Sequence, residues 1–501
     1  MENRQSQTTQ SVGRNVLYGF STWFLPLGLS FYATPKIVKA LGDQDYGIYA
    51  LVLGFVGYSF NFSFGRAITK YIAEYRAGGE DEKIPDLISS AFFVNNLVGL
   101  LSVSVFCLTS SWLVQNFFKI ETDAQYKTTI ALYIASAIIF FTMQNQIFSS
   151  ILQGIHRFDV YSNIFNFNNL ALLVGNILLA INGYGLLSLF YWNLAVTALT
   201  CVIYVFAAKR FMPDFKLSFR FKGEILRLIV KYSAGVIGYQ ILSNFLLLFE
   251  RGWISSQLET KSLTYYVVPM LLSFYIHGFI SSLTLVLFPL SSELKNDKEK
   301  LLRLYTKATK IVCFFVFFLG TTLITESHIF LTLWMGAEFA EKTFVLLVIH
   351  TITFSLLAIQ IVSWQMTEGL GYPSYNCYLF MICLIISLFL MVGLTQDFGL
   401  EGVAMGRMAG YIAIFFSIFY VEKWFFGRVQ FAFWAKILSV LLAASVFAAI
   451  IEKSIVEYFS FSWLSFLTAT ISGGIVYILI VWILGFIKED EKILLRHILQ
   501  R

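Results

Sequence analysis

Charge is what this chain has least of. Only 13% of its 501 residues are Asp, Glu, Lys or Arg, against 57% hydrophobic and 18% aromatic, where a soluble globular protein carries about 25% charge. A soluble globule is excluded, because so few charged groups cannot build its water-facing surface. Cysteine is scarce as well. Cys107, Cys201, Cys313, Cys377 and Cys383 all fall inside apolar stretches without a C-x-x-C or Cys/His cluster, which excludes a disulfide framework and a structural zinc site. No Gly-Lys pair occurs, so the phosphate-cradling loop of a self-contained ATPase is missing. Neither H-E-x-x-H nor G-x-S-x-G is present, and His156, His277, His328, His350 and His497 are too scattered for a metal site. The expectation is no catalytic residue, no metal and no cofactor.

Long apolar runs fill the space that charge leaves. About 20 apolar residues, rising about 1.5 Å each, span a hydrocarbon core about 30 Å thick. Charge-poor windows lie at 15–35, 46–65, 87–113, 128–153, 163–182 and 185–207, then at 232–249, 263–290, 311–334, 343–366, 375–395 and 400–420, and finally at 437–451 and 463–486. These predict an all-α integral membrane protein of about 14 transmembrane helices, in two six-helix lobes plus a C-terminal helix pair. The lobes correspond to 1–210 and 211–425, and the pair with its tail to 426–501. The first window exceeds the roughly 7 to 15 residues of a signal peptide's apolar core, and reads as an anchor that stays in the chain.

The Lys/Arg pattern orients the spans. One set of loops holds Arg66, Lys70, Arg76 and Lys83, then Lys209 to Lys231, then Lys295 to Lys310, while the alternate loops are poor in both residues. Cytoplasmic loops retain positive charge, so both termini are expected in the cytoplasm. The net charge of +6 then suits membrane lipids of the anionic inner leaflet, and no nucleic-acid partner is implied. Segments 214–231 and 296–310 mix apolar with basic residues as short helices lying on the membrane surface do.

Asp43 and Asp45, in the turn after the first span, are the one enzyme-like signal, in the manner of acids that hold sugar phosphates. The turn is too short to build a catalytic domain around them, and Gly42, Asp43 and Asp45 suit ordinary turn chemistry. A selectivity filter of carbonyl loops or charged rings is not visible. What remains is a carrier. A faint repeat supports that plan: the stretch from Ala40 to Tyr49 after the first span is echoed by Leu258 to Tyr266 after the seventh, each followed by a span and a basic loop.

Charge within a span costs about 2.5–3.5 kcal/mol at the bilayer centre on insertion scales, so each instance needs a reason. Arg66 ends the second span, Glu250 and Arg251 follow the seventh, Glu326 lies in the outer part of the ninth, and Arg407 lies inside the twelfth. Interfacial placement accounts for Arg66 and Glu326, and a local ion pair for Glu250 with Arg251. Arg407 differs, because Gly402, Ala404, Gly406, Ala409 and Gly410 let another helix or a ligand come close. A guanidinium facing a cleft suits a diphosphate, which it holds through paired hydrogen bonds. Arg66, Arg251 and Arg407 are the substrate-binding candidates.

The sequence resembles the bacterial polysaccharide flippases, of the O-antigen type, within the superfamily that includes multidrug and toxic compound extrusion carriers. The resemblance rests on Ala40-Leu41-Gly42 through Tyr46-Gly47-Ile48-Tyr49, on Phe64-Gly65-Arg66-Ala67 through Tyr75, on Leu287-Phe288-Pro289-Leu290 through Leu294, on Leu333-Trp334-Met335-Gly336 and on Phe398-Gly399-Leu400-Glu401-Gly402. It implies a protein of the bacterial cytoplasmic membrane that flips a polyprenyl-pyrophosphate-linked oligosaccharide outward by alternating access, in association with polysaccharide polymerase machinery. Ser63-Phe64-Gly65 departs from relatives that place an acid just before this glycine, which leaves Glu250, the acid nearest the expected cleft, as the ion-coupling candidate that the resemblance implies. The alternatives are a multidrug antiporter or a peptidoglycan-precursor flippase on the same scaffold, and a membrane glycosyltransferase using Asp43 and Asp45.

Overall fold

A computed structural model describes residues 2–60, 65–213, 222–284, 287–295, 297–459 and 461–486; the side chains of 2–25, 60, 66, 77, 226, 228–237, 289, 292, 293 and 373 lie outside that description. No strand occurs among the described residues. The helices of the first half are α1 (Glu2–Phe60), α2 (Gly65–Ala77), α3 (Ile84–Trp112), α4 (Thr122–Gly154), α5 (Phe158–Ile181), α6 (Gly185–Phe211) and α7 (Gly223–Leu258). Those of the second are α8 (Ser262–Thr284), α9 (Leu287–Glu293), α10 (Lys298–Thr325), α11 (Ser327–Met335), α12 (Ala337–Ile359), α13 (Ile361–Gly369), α14 (Pro373–Phe426), α15 (Phe431–Tyr458) and α16 (Trp463–Ile483). By contacts the chain divides into two compact units, Met1–Thr264 and Tyr265–Arg501.

Ten helices among the described residues are long and apolar enough to cross a membrane. α1 and α14 are each two helices joined at an elbow, at Gly42 (φ 79°, ψ 165°) and at Gly399 (φ 54°, ψ −128°). Both backbones lie in positive-φ territory where a Cβ is strained, which explains glycine at the two joints. A count of fourteen spans treats each arm of the bent helices, and α7, as a span of its own.

Unit 1 is built on α1, α4, α5 and α6, with α3 against α4 and α7 against α1. The elbow of α1 meets the α7–α8 turn. Glu259 there has φ 71° and ψ 150°, close to the backbone of Gly42, so the weak repeat in the sequence has a counterpart in local geometry. Thr264 Oγ1 donates to the Asp43 carbonyl at 2.6 Å, and a Cβ on Gly47 would stand 2.3 Å from the Thr260 carbonyl oxygen. Asp45 pairs with Lys127, and Gln44 Nε2 donates to Glu121 at 2.9 Å. The acidic turn thereby ties α1 to the start of α4.

In unit 2 the second arm of α14 lies hard against the first. A Cβ on Gly402 would reach the Leu394 carbonyl oxygen at 2.2 Å, on Gly406 the Met391 nitrogen at 2.5 Å, and on Gly410 the Cys383 carbonyl oxygen at 2.6 Å. Residues four apart share one helix face, so the small-residue stripe is filled by a helix. α15 and α16 pair with each other and cover α10. Leu464, Leu467, Ile471, Ile475, Ile478 and Trp482 form an exposed stripe on α16, while Ala469, Gly473, Tyr477 and Val481 are buried. An apolar stripe turned outward suits lipid rather than water.

Two expectations are corrected. Segment 296–310 is no separate surface helix: from Lys298 it is the opening of α10, continuous to Thr325, with Leu301 and Tyr305 buried in the core. Its pattern of apolar and basic residues reflects packing on one side and solvent on the other. At its start Asp297 caps the helix, its carboxylate accepting from the Lys300 amide at 3.1 Å, and the side-chain bond from Lys300 holds that carboxyl below its ordinary range. Of segment 214–231, residues 214–221 lie outside the described residues, and from Gly223 the chain belongs to α7. Glu326 is 1% exposed, at the break between α10 and α11.

Candidate functional site

Unit 1 encloses a cavity of about 550 Å³ between both arms of α1 and helices α4, α5 and α6. That volume lies within the roughly 300–1,000 Å³ of small-molecule sites. Among the described residues its wall sets neutral polar groups among apolar ones and holds no charged side chain. α4 contributes Thr142, Asn145, Gln146 and Ser149, α5 contributes Asn168, Asn169 and Asn176, and α6 contributes Asn193, Thr197 and Thr200, with Tyr49, Tyr161 and Tyr204 supplying rings. Positions 142, 145, 146 and 149, then 168, 169, 172 and 176, then 193, 197, 200 and 204 step by three or four, so one stripe of each helix faces the cavity.

Hydrogen bonds fix part of this wall and leave part open. Tyr49 Oη accepts from Asn176 Nδ2 at 3.2 Å and from Asn193 Nδ2 at 3.1 Å. Thr200 Oγ1 donates to Asn168 Oδ1 at 2.9 Å, and Asn145 Nδ2 to the Thr197 carbonyl at 3.3 Å. With their amide nitrogens so engaged, Asn145, Asn176 and Asn193 keep their Oδ1 atoms buried without a partner. An unmade bond at a buried polar group costs about 1–3 kcal/mol. These oxygens lie just behind a wall of neutral amides and hydroxyls, and an occupant rich in hydroxyls suits such a wall better than phosphate does.

Of the charges singled out in the sequence, Glu250 and Arg251 lie elsewhere in unit 1 and Arg407 lies in unit 2. Arg251 on α7 is buried: its Nη1 donates to the Ala50 carbonyl, its guanidinium lies 5.4 Å from the Tyr58 ring centre, and its Nε has no partner. A Cβ on Gly54 would fall 2.4 Å from the guanidinium carbon, so glycine on α1 is what admits the side chain. Glu250, its neighbour, is also buried. Arg407, 1% exposed in unit 2, donates from Nη1 to Met270 Sδ at 3.0 Å and lies 5.9 Å from the Phe354 ring centre. Arg66 opens α2, and its side chain lies outside the described residues. Neither Glu250 nor Arg251 is among the described residues that line the unit 1 cavity, and the sequence analysis did not single out the amides that do. Asn and Thr recurring every three or four residues inside apolar spans was the available signal; a search confined to charged groups passed over it.

Three other buried carboxylates occupy unit 2. Glu422 accepts from Tyr305 Oη at 2.8 Å, from the Gln430 amide at 2.6 Å and from Trp434 Nε1 at 2.6 Å, tying α10, α14 and α15 together. Glu452 on α15 accepts from Thr322 Oγ1 at 2.9 Å, with the Thr325 hydroxyl also beside it. Neither oxygen of Glu326 has a partner.

Comparison with known proteins gives a consistent picture. The model of a family described as polysaccharide biosynthesis protein matches residues 38–343. A Shigella flexneri protein named as a candidate O-antigen transporter is 20% identical over 411 residues, covering 79% of this chain and 94% of the relative. Among solved structures, the lipid II flippase MurJ in an inward closed conformation superposes with a TM-score of 0.74 at 17% identity, over 94% of this chain and 99% of that one. A multidrug resistance transporter of the MATE family, inward-facing, superposes with a TM-score of 0.66 at 14% identity, over 81% of this chain and 94% of its own. At these identities the structural likeness is one of fold.

Proposed function

The chain belongs to the polysaccharide biosynthesis protein family, and from that premise we propose that it is a flippase carrying a polyprenyl-pyrophosphate-linked oligosaccharide across the bacterial cytoplasmic membrane by alternating access. The observation that carries this reading is the unit 1 cavity. Amide and hydroxyl groups interleaved with tyrosine rings are what a sugar needs: acceptors for its hydroxyls and flat apolar faces for its ring carbons. A water-filled shell cannot follow a glycan through hydrocarbon, so a carrier must supply the equivalent bonds itself.

Arg251 and Arg407 are proposed to serve the diphosphate, each from within its own unit, and Arg66 is proposed as a further contact. Glu250 is proposed as the acid coupled to an ion gradient. Both termini would lie in the cytoplasm, membrane lipids would surround the bundle, and polymerase machinery would receive the exported unit. No cofactor or bond-making step enters the scheme. Asp45 is engaged by Lys127, which favours a structural role for the acidic turn over glycosyl transfer. The MATE-like fold keeps a multidrug antiporter as the rival, but a cationic drug would call for an acid that the lining of this cavity does not include.

A strain lacking the protein tests the proposal. Lipid-linked oligosaccharide should accumulate on the cytoplasmic face with its sugar linkages intact. Loss of one linkage, with no accumulation of the complete unit, would favour an enzyme instead.

A further inference from the structure

Unit 2 holds a polar cluster that the transport reading does not use. The helical run from Lys298 breaks at Glu326, which ends α10 and precedes α11. Backbone irregularity at membrane depth is tolerated where it lines a cavity, and broken helices are where carriers hold ions. Here a cavity of about 210 Å³ opens at the break, lined by Thr322, Glu326 and Thr470 among apolar side chains of α10, α11 and α16. Glu326 is 1% exposed, lines that cavity, and has no hydrogen bond to either carboxylate oxygen. Glu452, 0% exposed, stands one hydrogen bond away through Thr322, and its Oε2 is unpartnered, as is Thr470 Oγ1. Gly473 makes the room, since a Cβ there would lie 2.5 Å from Glu452 Oε1.

Two carboxyls buried together, without a basic partner, cannot both carry uncompensated charge. The desolvation of one such ion in a protein interior costs several kcal/mol. The other ionic groups toward this end of the surrounding helices pair among themselves at the rim: His328 with Glu341 at 2.9 Å, Lys342 with Glu338 at 2.8 Å and Lys453 with Glu457 at 3.8 Å. Glu422, with three donors, marks what a purely structural buried carboxylate looks like in the same unit.

We infer that Glu326 and Glu452, with the Thr470 hydroxyl, form a binding site for one small monovalent cation, either a sodium ion or a proton held on one of the carboxyls. Calcium fits poorly, because it takes 6–8 oxygen ligands and the cluster offers fewer. The site is separate from the Glu250 proposal, and its test needs no glycan cargo, so it stands or falls independently of the flippase reading.

The test is thermal unfolding of the full chain in lipid nanodiscs, in sodium chloride against choline chloride at equal ionic strength and over a range of pH. Sodium binding raises the wild-type midpoint by a few degrees, and Glu326→Gln and Glu452→Gln each abolish that rise. If the occupant is the proton, the midpoint ignores sodium and falls as pH rises, because a proton site filled only in the folded state stabilises that state; each Gln variant flattens that slope. A wild type indifferent to both cations overturns the inference without recourse to any variant, as does a response that both Gln variants retain. Thr470→Val is the control should a Gln variant fail to fold. Under sodium binding it weakens the response, and an unchanged sodium response in that variant removes the hydroxyl from the site and overturns the assignment.

Discussion

At the scale of single residues, what separates a structural polar group from a functional one in this chain is whether its hydrogen bonds are complete. Glu422 is complete, with donors from three helices or turns. Glu422→Ala strands those donors, at about 1–3 kcal/mol each, and should lower the yield of folded protein and its thermal midpoint by many degrees. Asn193 is incomplete: its Nδ2 serves Tyr49 and its Oδ1 serves nothing in the chain. Asn193→Leu should cut export about tenfold, the loss of one good hydrogen bond to cargo, with membrane abundance unchanged; undiminished export would remove the cavity from the transport path. Arg251 depends on a neighbour's missing side chain. Gly54→Ala puts a methyl 2.4 Å from its guanidinium carbon and should mimic Arg251→Ala in an export assay, whereas an alanine variant with full export would make Arg251 dispensable.

At the scale of elements, helices and their glycine elbows were legible in the sequence, and the interruption without a glycine was not. Hydropathy placed the spans on either side of Gly42 and Gly399, and turn residues marked the elbows, because a glycine at φ 79° or 54° leaves a trace in composition. The interruption at Glu326 leaves none: its φ of −93° and ψ of 7° are open to any residue, so an acid inside the bundle reads as an acid at its edge. Segment 296–310 misled for a related reason, since a helix packed against a neighbour and a helix lying on lipid share one amphipathic pattern. The Gly402, Gly406 and Gly410 stripe left helix or ligand undecided, and the first arm of α14 fills it. Gly406→Leu drives a side chain into the Met391 backbone and should cost about 1–3 kcal/mol or more, seen as a lower thermal midpoint. An unchanged midpoint would mean that the two arms of α14 are free to part.

At the scale of the whole molecule, scarcity of charge was enough to give the class, a helical bundle in a membrane, and the order of glycine-rich and aromatic motifs was enough to give the family. The site was harder to read because its chemistry is neutral. Amides and hydroxyls are common in any chain, and only folding brings the stripes of α4, α5 and α6 around one space. The account's central claim is that this bundle moves a glycan on its lipid through the membrane without making or breaking a bond. The direct measurement places the purified protein in liposomes that carry a polyprenyl-pyrophosphate-linked oligosaccharide in both leaflets, and follows how fast the inner pool becomes accessible to an impermeant enzyme added outside. Wild-type protein should bring the protected pool out chemically intact, and Asn193→Leu should do so about tenfold more slowly. A protected pool that stays protected, or oligosaccharide that returns lengthened or cleaved by the protein alone, would contradict the account.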